Sequence, residues 1–226
     1  AINASGTYGA PVSDVTNNFS ITPDEISQED REDLAIKAVT SVKPDYAVGL
    51  YEKAVTISYN EESTDYDVRT VFADYTVEQA GEPSVTAVGY AGIYDGEPHG
   101  ITVTATGYSN DEVFTVYYSE QELTADNYNT VGKQSLTYTD ASETPYTVYY
   151  YVDSKNYRPA TGSKTVTIGT APLTVKATDK TITYGDALTA INDNALPAAN
   201  GLKGVTLSGL VPADEEKTIY AEVSYA

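Results

Sequence analysis

The chain has 226 residues, of which 41% are hydrophobic and 20% charged, a share too apolar for disorder, with no apolar run near the roughly 18–20 residues that cross a bilayer as a helix. Its 33 acids against 13 bases give a formal charge of −20, which repels phosphate backbones and anionic lipid and sets aside nucleic acid as a partner and membrane insertion of this stretch. Cysteine is absent, so disulfides, thiolate metal sites and cysteine nucleophiles are excluded, while 21 tyrosines against 3 phenylalanines suit strands whose rings pack and whose hydroxyls stay wet.

Three tyrosine turns punctuate the chain: "GTYGAPVS" around Tyr8, "GIYDGEPHGITVTATG" from Gly92, and "ITYGDALT" around Tyr184. Their spacings are 94 − 8 = 86 and 184 − 94 = 90 residues, a period and therefore architecture before chemistry. It predicts three tandem β units, residues 1–82, 83–170 and a short third, 171–226. The N-terminal "AINASGTYGA" lacks the basic and apolar regions of a signal peptide, so any export or anchoring segment is expected outside this sequence.

In the first unit, Thr22, Pro23 and Glu25 of "ITPDEISQEDRED" imitate a capped helix start and predict one short helical turn. Leu34, Ile36 and Ala38 then alternate, predicting a strand "LAIKAVTSV" from Leu34, followed by "KAVTISY" from Lys53 and "YDVRTVFADYTVEQ" from Tyr66. The junction "EQAGEPS" holds Pro83, and its shortness predicts a semi-stiff connection.

The middle unit carries the clearest strands: "ITVTATG" from Ile101, "VFTVYYS" from Val113, "YTVYYYVD" from Tyr146 and "SKTVTIG" from Ser163, separated by Gly, Asn, Asp and Pro clusters. Ahead of them, Tyr94-Asp95-Gly96 reads as a turn in which Gly96 takes positive φ, Asp95 bonds its own backbone and Tyr94 anchors the turn on the core. Short strands at this density predict an all-β fold of tandem small Ig-like β-sandwiches, with β-grasp-like repeats as the alternative.

The third unit follows "IGTAPLTV", with its Pro172, and opens with the strand "LTVK" before Tyr184-Gly185. Landmarks align the units: Tyr51, Tyr146 and Tyr220 each begin a late strand, Tyr66 matches Tyr157, and Val77 matches Val166. On that alignment the first unit lacks a counterpart of "LTVK" and the third a counterpart of "TDYDVRTVFADYTVEQ". Each end unit is expected to be one strand short, the third being the least stable or completed by a neighbouring molecule.

The run "YDGEPHGITVTATG", then "FTVYYS", "YTVYYYVDSKNYRPATGSKTVTI" and "APLTVKATDKTITYGDAL", resembles the YDG and MBG (YGX-type) repeat families found in tandem on large surface proteins of Gram-positive bacteria. The middle unit is similar to the YDG type and its flanks to the MBG type, although Tyr8-Gly9 is followed by Ala10 and Pro11 instead of an acid. The resemblance implies an extracellular, cell-wall-associated stalk or spacer of an adhesin, whose partners are neighbouring repeats of the same protein. It implies no enzyme, no cofactor and no catalytic residue; its signature residues are Tyr94, Asp95, Gly96, Tyr184 and Gly185.

The sequence offers few further candidate sites. His99, the single histidine, has no second ligand or triad partner and reads as a turn residue. The acid pairs Asp111–Glu112, Glu61–Glu62 and Glu215–Glu216 read as solvated rims, not the opposed carboxylates of a glycosidase. Calcium is a candidate at the oxygen-rich turns "NDN" (Asn192 to Asn194), "ADNYN" (Ala125 to Asn129) and "TDYD" (Thr64 to Asp67), which equally suit plain turns. Tyr117, Tyr118, Tyr149, Tyr150 and Tyr151 place rings on both faces of their strands, making them candidate contacts for a host glycan or mucin. A glycan-binding module is therefore the alternative function.

Overall fold

The computed structural model describes residues 1–22, 26–62, 66–177, 179, 181, 183–185, 191–197, 205–215 and 217–223, those of 191–197, 205 and 218–223 by backbone alone. The described elements are mostly strands, and the fold is all-β.

The first segment contains β1 (Ala4–Thr7), α1 (Gln28–Leu34), β2 (Lys37–Thr40), β3 (Gly49–Ser58) and β4 (Ala73–Glu78). They form a mixed sheet of order β1-β4-β3-β2 in which β1 runs parallel to β4 and the other pairs are antiparallel. Alternation sets the buried face: Ala73, Tyr75 and Val77 of β4 point inward together and meet Val55, Ala38 and Tyr8 in one core.

Three expectations for this segment are corrected. The helix starts at Ser27, whose Oγ accepts the Asp30 N–H at 3.1 Å, and it spans seven residues rather than one turn. Thr22 is not its cap, and Pro23 and Glu25 lie outside the described residues. Leu34 consequently ends the helix instead of opening a strand; it is 2% exposed, and Ala35 closes the helix in the left-handed conformation (φ 47). Helical spacing brings Leu34 onto the buried side, a gain that outweighs the local alternation with Ile36 and Ala38. The strand predicted from Tyr66 begins at Ala73, leaving Val71 and Phe72 exposed before it.

The middle segment contains β5 (Ser84–Val88), β6 (Tyr90–Ile93), β7 (His99–Gly100), β8 (Thr102–Thr106), β9 (Thr115–Ser119), α2 (Tyr128–Val131), β10 (Thr137–Tyr138), β11 (Tyr146–Asp153) and β12 (Ala160–Gly169). A four-stranded sheet runs β6-β12-β11-β9, with β6 parallel to β12; β5 pairs β8, and β7 pairs β10. Val85, Ala87, Val103 and Ala105 of the β5–β8 ribbon pack on Val148, Val152, Val166 and Ile168 of the sheet. Val148 and Val166 are wholly buried, each a gain of about 1.5–3 kcal/mol over exposure.

The third segment repeats the ribbon: β13 (Thr174–Ala177) pairs antiparallel with β15 (Val205–Ser208), as β5 does with β8. β14 (Ile191–Pro197) pairs with β16 (Thr218–Val223). Asn192 to Asn194 therefore lie in a strand, not in the turn expected of them.

The alignment of landmarks also shifts. Tyr8 N donates to Glu78 O and Tyr94 N to Gly169 O, so Val77 corresponds to Ile168 and Tyr75 to Val166. The shift of two residues leaves every side chain on its face, which is why alternation in the sequence does not distinguish the two registers. Tyr51 and Tyr146 remain equivalent, paired with Tyr75 and Val166, whereas Tyr220 lies in β16 against β14. Tyr66 is 44% exposed and bonds Asp30, unlike the buried Tyr157.

Candidate functional site

Where the first segment meets the middle one, the end of β1 is turned by Gly9 (φ 73), whose N–H donates to Pro44 O at 2.9 Å. The turn directs the Tyr8 ring onto the middle segment, edge-on to Tyr157 at 5.7 Å and to Tyr108 at 6.1 Å, with Phe114 behind at 5.6 Å from Tyr157. Tyr8 is 5% exposed, and its hydroxyl donates to Glu112 Oε1, while Oε2 accepts from Asn156 Nδ2 at 3.4 Å. Burial first, then the Glu112 carboxylate, pushes the Tyr8 phenol far above its ordinary pKa.

Backbone groups close the same junction. Tyr157 Oη accepts from Tyr108 N at 2.5 Å, Asn156 Oδ1 from Val48 N at 3.0 Å, and Gln79 Nε2 donates to Lys155 O at 3.3 Å. Ala80 bridges Tyr157 in parallel, its N–H donating to Asn156 O and its carbonyl accepting from Arg158 N. Beside it lies a cleft of about 380 Å³ bordered by Asp45, Asp111, Glu112 and Lys155. The pair Asp111–Glu112, read from sequence as a solvated rim, thus supplies the acceptor for a tyrosine 104 residues away.

The second junction repeats the arrangement. Tyr94 N is held by Gly169 O at 2.7 Å, and the turn that follows is built as its residue types dictate: Asp95 Oδ1 accepts Glu97 N at 3.0 Å, and Gly96 has φ 83. The Tyr94 hydroxyl donates to Asp214 Oδ1 at 2.8 Å, and Lys217 pairs with Asp214 at 2.5 Å. A Cβ on Gly96 would collide with Ala213, so both the backbone angle and the neighbour demand glycine there. The bond to Asp214 raises the Tyr94 pKa; Lys217, ahead of Tyr94, lowers that of Asp214. Leu173, Gly209, Leu210 and Val211 border the adjoining cleft.

The two acceptors share an address. Gly107 and Gly209 directly follow the paired strands β8 and β15, and the acid stands five residues on in each case (112 − 107 and 214 − 209). That spacing was legible in the sequence, but nothing local marked it as a partner of the tyrosine turns. The third turn, at Tyr184, has its glycine in the same region (Gly185, φ 95), and Tyr184 is 104% exposed.

His99 is more engaged than a bare turn residue. Its ring stacks on Tyr90 at 3.8 Å and 9°, and Nε2 lies 2.9 Å from Asp95 Oδ1, so it fastens the Tyr94 turn to β6. The five candidate glycan tyrosines do not form one surface. Tyr151 is 3% exposed and stacks on Tyr128 at 4.3 Å, with Tyr117 edge-on to Tyr128 at 5.1 Å. Tyr118 and Tyr150, cross-strand partners, pack against the core on the opposite face, and Tyr149 is half-buried opposite Ser119.

At the candidate calcium turns, Asn127 spends its side chain on the backbone, accepting Thr124 N at 2.7 Å and donating to Glu122 O at 3.1 Å. Thr64 and Asp65 lie outside the described residues, as does Glu216 of the third acid pair, while Asp67 pairs with Arg69 at 3.6 Å. Among the described residues no group of three or more acids or histidines converges as a metal site, and no helix is long and apolar enough to cross a membrane. No protein-family model and no curated protein matches this chain.

Proposed function

We propose that the chain is a run of tandem Ig-like β units, residues 1–82, 83–170 and 171–226, serving as a stalk or spacer in a bacterial cell-surface adhesin of the MBG and YDG type. The observation that carries this reading is the repeated junction. At each, a short connection between β strands is reinforced by a tyrosine whose hydroxyl reaches a carboxylate of the next segment. A stalk needs such joints: the extra ring contacts and hydrogen bonds restrict the bending that short linkers alone would allow. The strand order supports the Ig-like assignment, since in the middle segment an early strand lies parallel beside the last one and the ribbon β5–β8 packs across the sheet. The charge of −20 suits a surface that must stay soluble beside many copies of itself.

Small-angle scattering tests the reading. A stalk gives a radius of gyration well above the compact value of about 17 Å for a chain of this length; a measured value at the compact figure overturns it.

A further inference from the structure

We propose that the Tyr184–Gly185 turn is a third latch, a docking surface for the carboxylate-bearing loop of another unit of this kind. The rule comes from the two occupied turns. Each is a tyrosine followed within two residues by a glycine of positive φ, namely Gly9 and Gly96. Each faces a loop that begins at a glycine closing a two-stranded ribbon and presents its acid five residues later. In each the tyrosine hydroxyl donates to that acid, Glu112 or Asp214.

Tyr184 and Gly185 reproduce the donor half of this pairing: the glycine has φ 95, and the ring stands 104% exposed, where Tyr8 is 5% exposed in its own latch. A ring so presented has both its apolar faces and its hydroxyl available, the combination that the Glu112 loop takes up from Tyr8.

A second copy of this chain does not suit as the occupant, because its Glu112 and Asp214 are already engaged by its own Tyr8 and Tyr94. The partner is a unit whose Gly-x-x-x-x-acid loop is unclaimed. The carboxylate also sets the specificity: a phenol bonds an ionised acceptor more strongly than a neutral one, so a loop lacking the acid is a poorer fit. The inference rests on the tandem-repeat reading only for the identity of this partner.

The test extends the full chain after Ala226 with about 20 Gly and Ser residues, which span about 25 Å on average, followed by a second copy of residues 83–170 whose Glu112 has no Tyr8 to receive. Hydrogen exchange is then followed at Thr183 to Gly185 and, as a folding control, in the appended β11 and β12. Docking slows exchange at the turn by about tenfold or more, as one charge-assisted hydrogen bond implies, and both Tyr184→Phe and Glu112→Gln in the appended copy remove most of that slowing. A turn whose exchange is unchanged beside a protected appended unit overturns the proposal, as does slowing that survives Glu112→Gln. Where the appended unit does not protect its own strands, residues 1–170 carrying Tyr8→Ala are appended in its place, so that the unit keeps its Val48, Gln79 and Ala80 contacts while Glu112 stays unclaimed, and an unchanged turn there overturns the proposal. Scattering separates this from the stalk reading: a protected turn in a compact chain keeps the latch and removes the stalk, and an unprotected turn in an extended chain does the reverse.

Discussion

Replacing Tyr8 by Phe removes one hydroxyl and leaves the ring, so it isolates the bond to Glu112. A hydrogen bond to a charged acceptor contributes about 1.5–3 kcal/mol. Glu112 keeps Asn156 as a second donor at 3.4 Å, which places the expected loss in the lower part of that range, about 1.5–2 kcal/mol. If the first and middle segments unfold as one block, that loss lowers Tm by about 3–8 °C. Tyr8→Ala also removes a ring that is 5% exposed and packed edge-on to Tyr108 and Tyr157, for a total of about 3–5 kcal/mol. Urea titration followed by circular dichroism measures both. A double-mutant cycle of Tyr8→Phe with Glu112→Ala then extracts the pair term. A coupling of about 1.5 kcal/mol is expected; one below about 0.5 kcal/mol, the spread of sites that do not interact, would refute the claim that the hydroxyl–carboxylate contact holds the junction.

Gly96→Val forces a β-branched residue into φ 83 and against Ala213, costing about 2 kcal/mol or more, whereas His99→Ala loses one stacked ring pair at about 0.5–1.5 kcal/mol; the reverse order in thermal unfolding would contradict the account of the turn. Ser27→Ala removes the cap of α1 and should cost about 1 kcal/mol, with no loss in urea midpoint meaning that the helix begins elsewhere. Burial raises Tyr8 and, with Glu120 after it, pushes Tyr138 up to about 12 from an ordinary 10.0. The unfolded chain therefore ionises first, and the stabilisation from both phenols is complete below pH 10, then lost as pH rises, through about 12 for Tyr138. Spectrophotometric titration should show a late fraction of the 21 tyrosines that joins the main wave only on unfolding; one wave near 10 in the folded chain would remove it.

Much of this protein was determined within reach of a few neighbouring residues. The strands "YTVYYYVD" and "SKTVTIG" follow from period-two alternation of Tyr, Val and Thr, and the Tyr94 turn from the backbone preferences of Asp95 and Gly96, because such choices are settled within four or five residues. Tertiary structure decided the rest. Leu34 entered a helix because burial at 2% exposure outweighed an alternating pattern that a strand would have shared. The match of Val77 to Ile168 could not be read from sequence, since registers two residues apart bury the same faces. The rings of Tyr117 and Tyr151, free to line a surface as far as their own strands dictate, are covered by Tyr128 of the short helix α2. Above all, the acids that receive Tyr8 and Tyr94 lie 104 and 120 residues downstream. A phenol has no sequence-local preference among 33 acids; only the packing of one segment on the next brings Glu112 and Asp214 within reach of it.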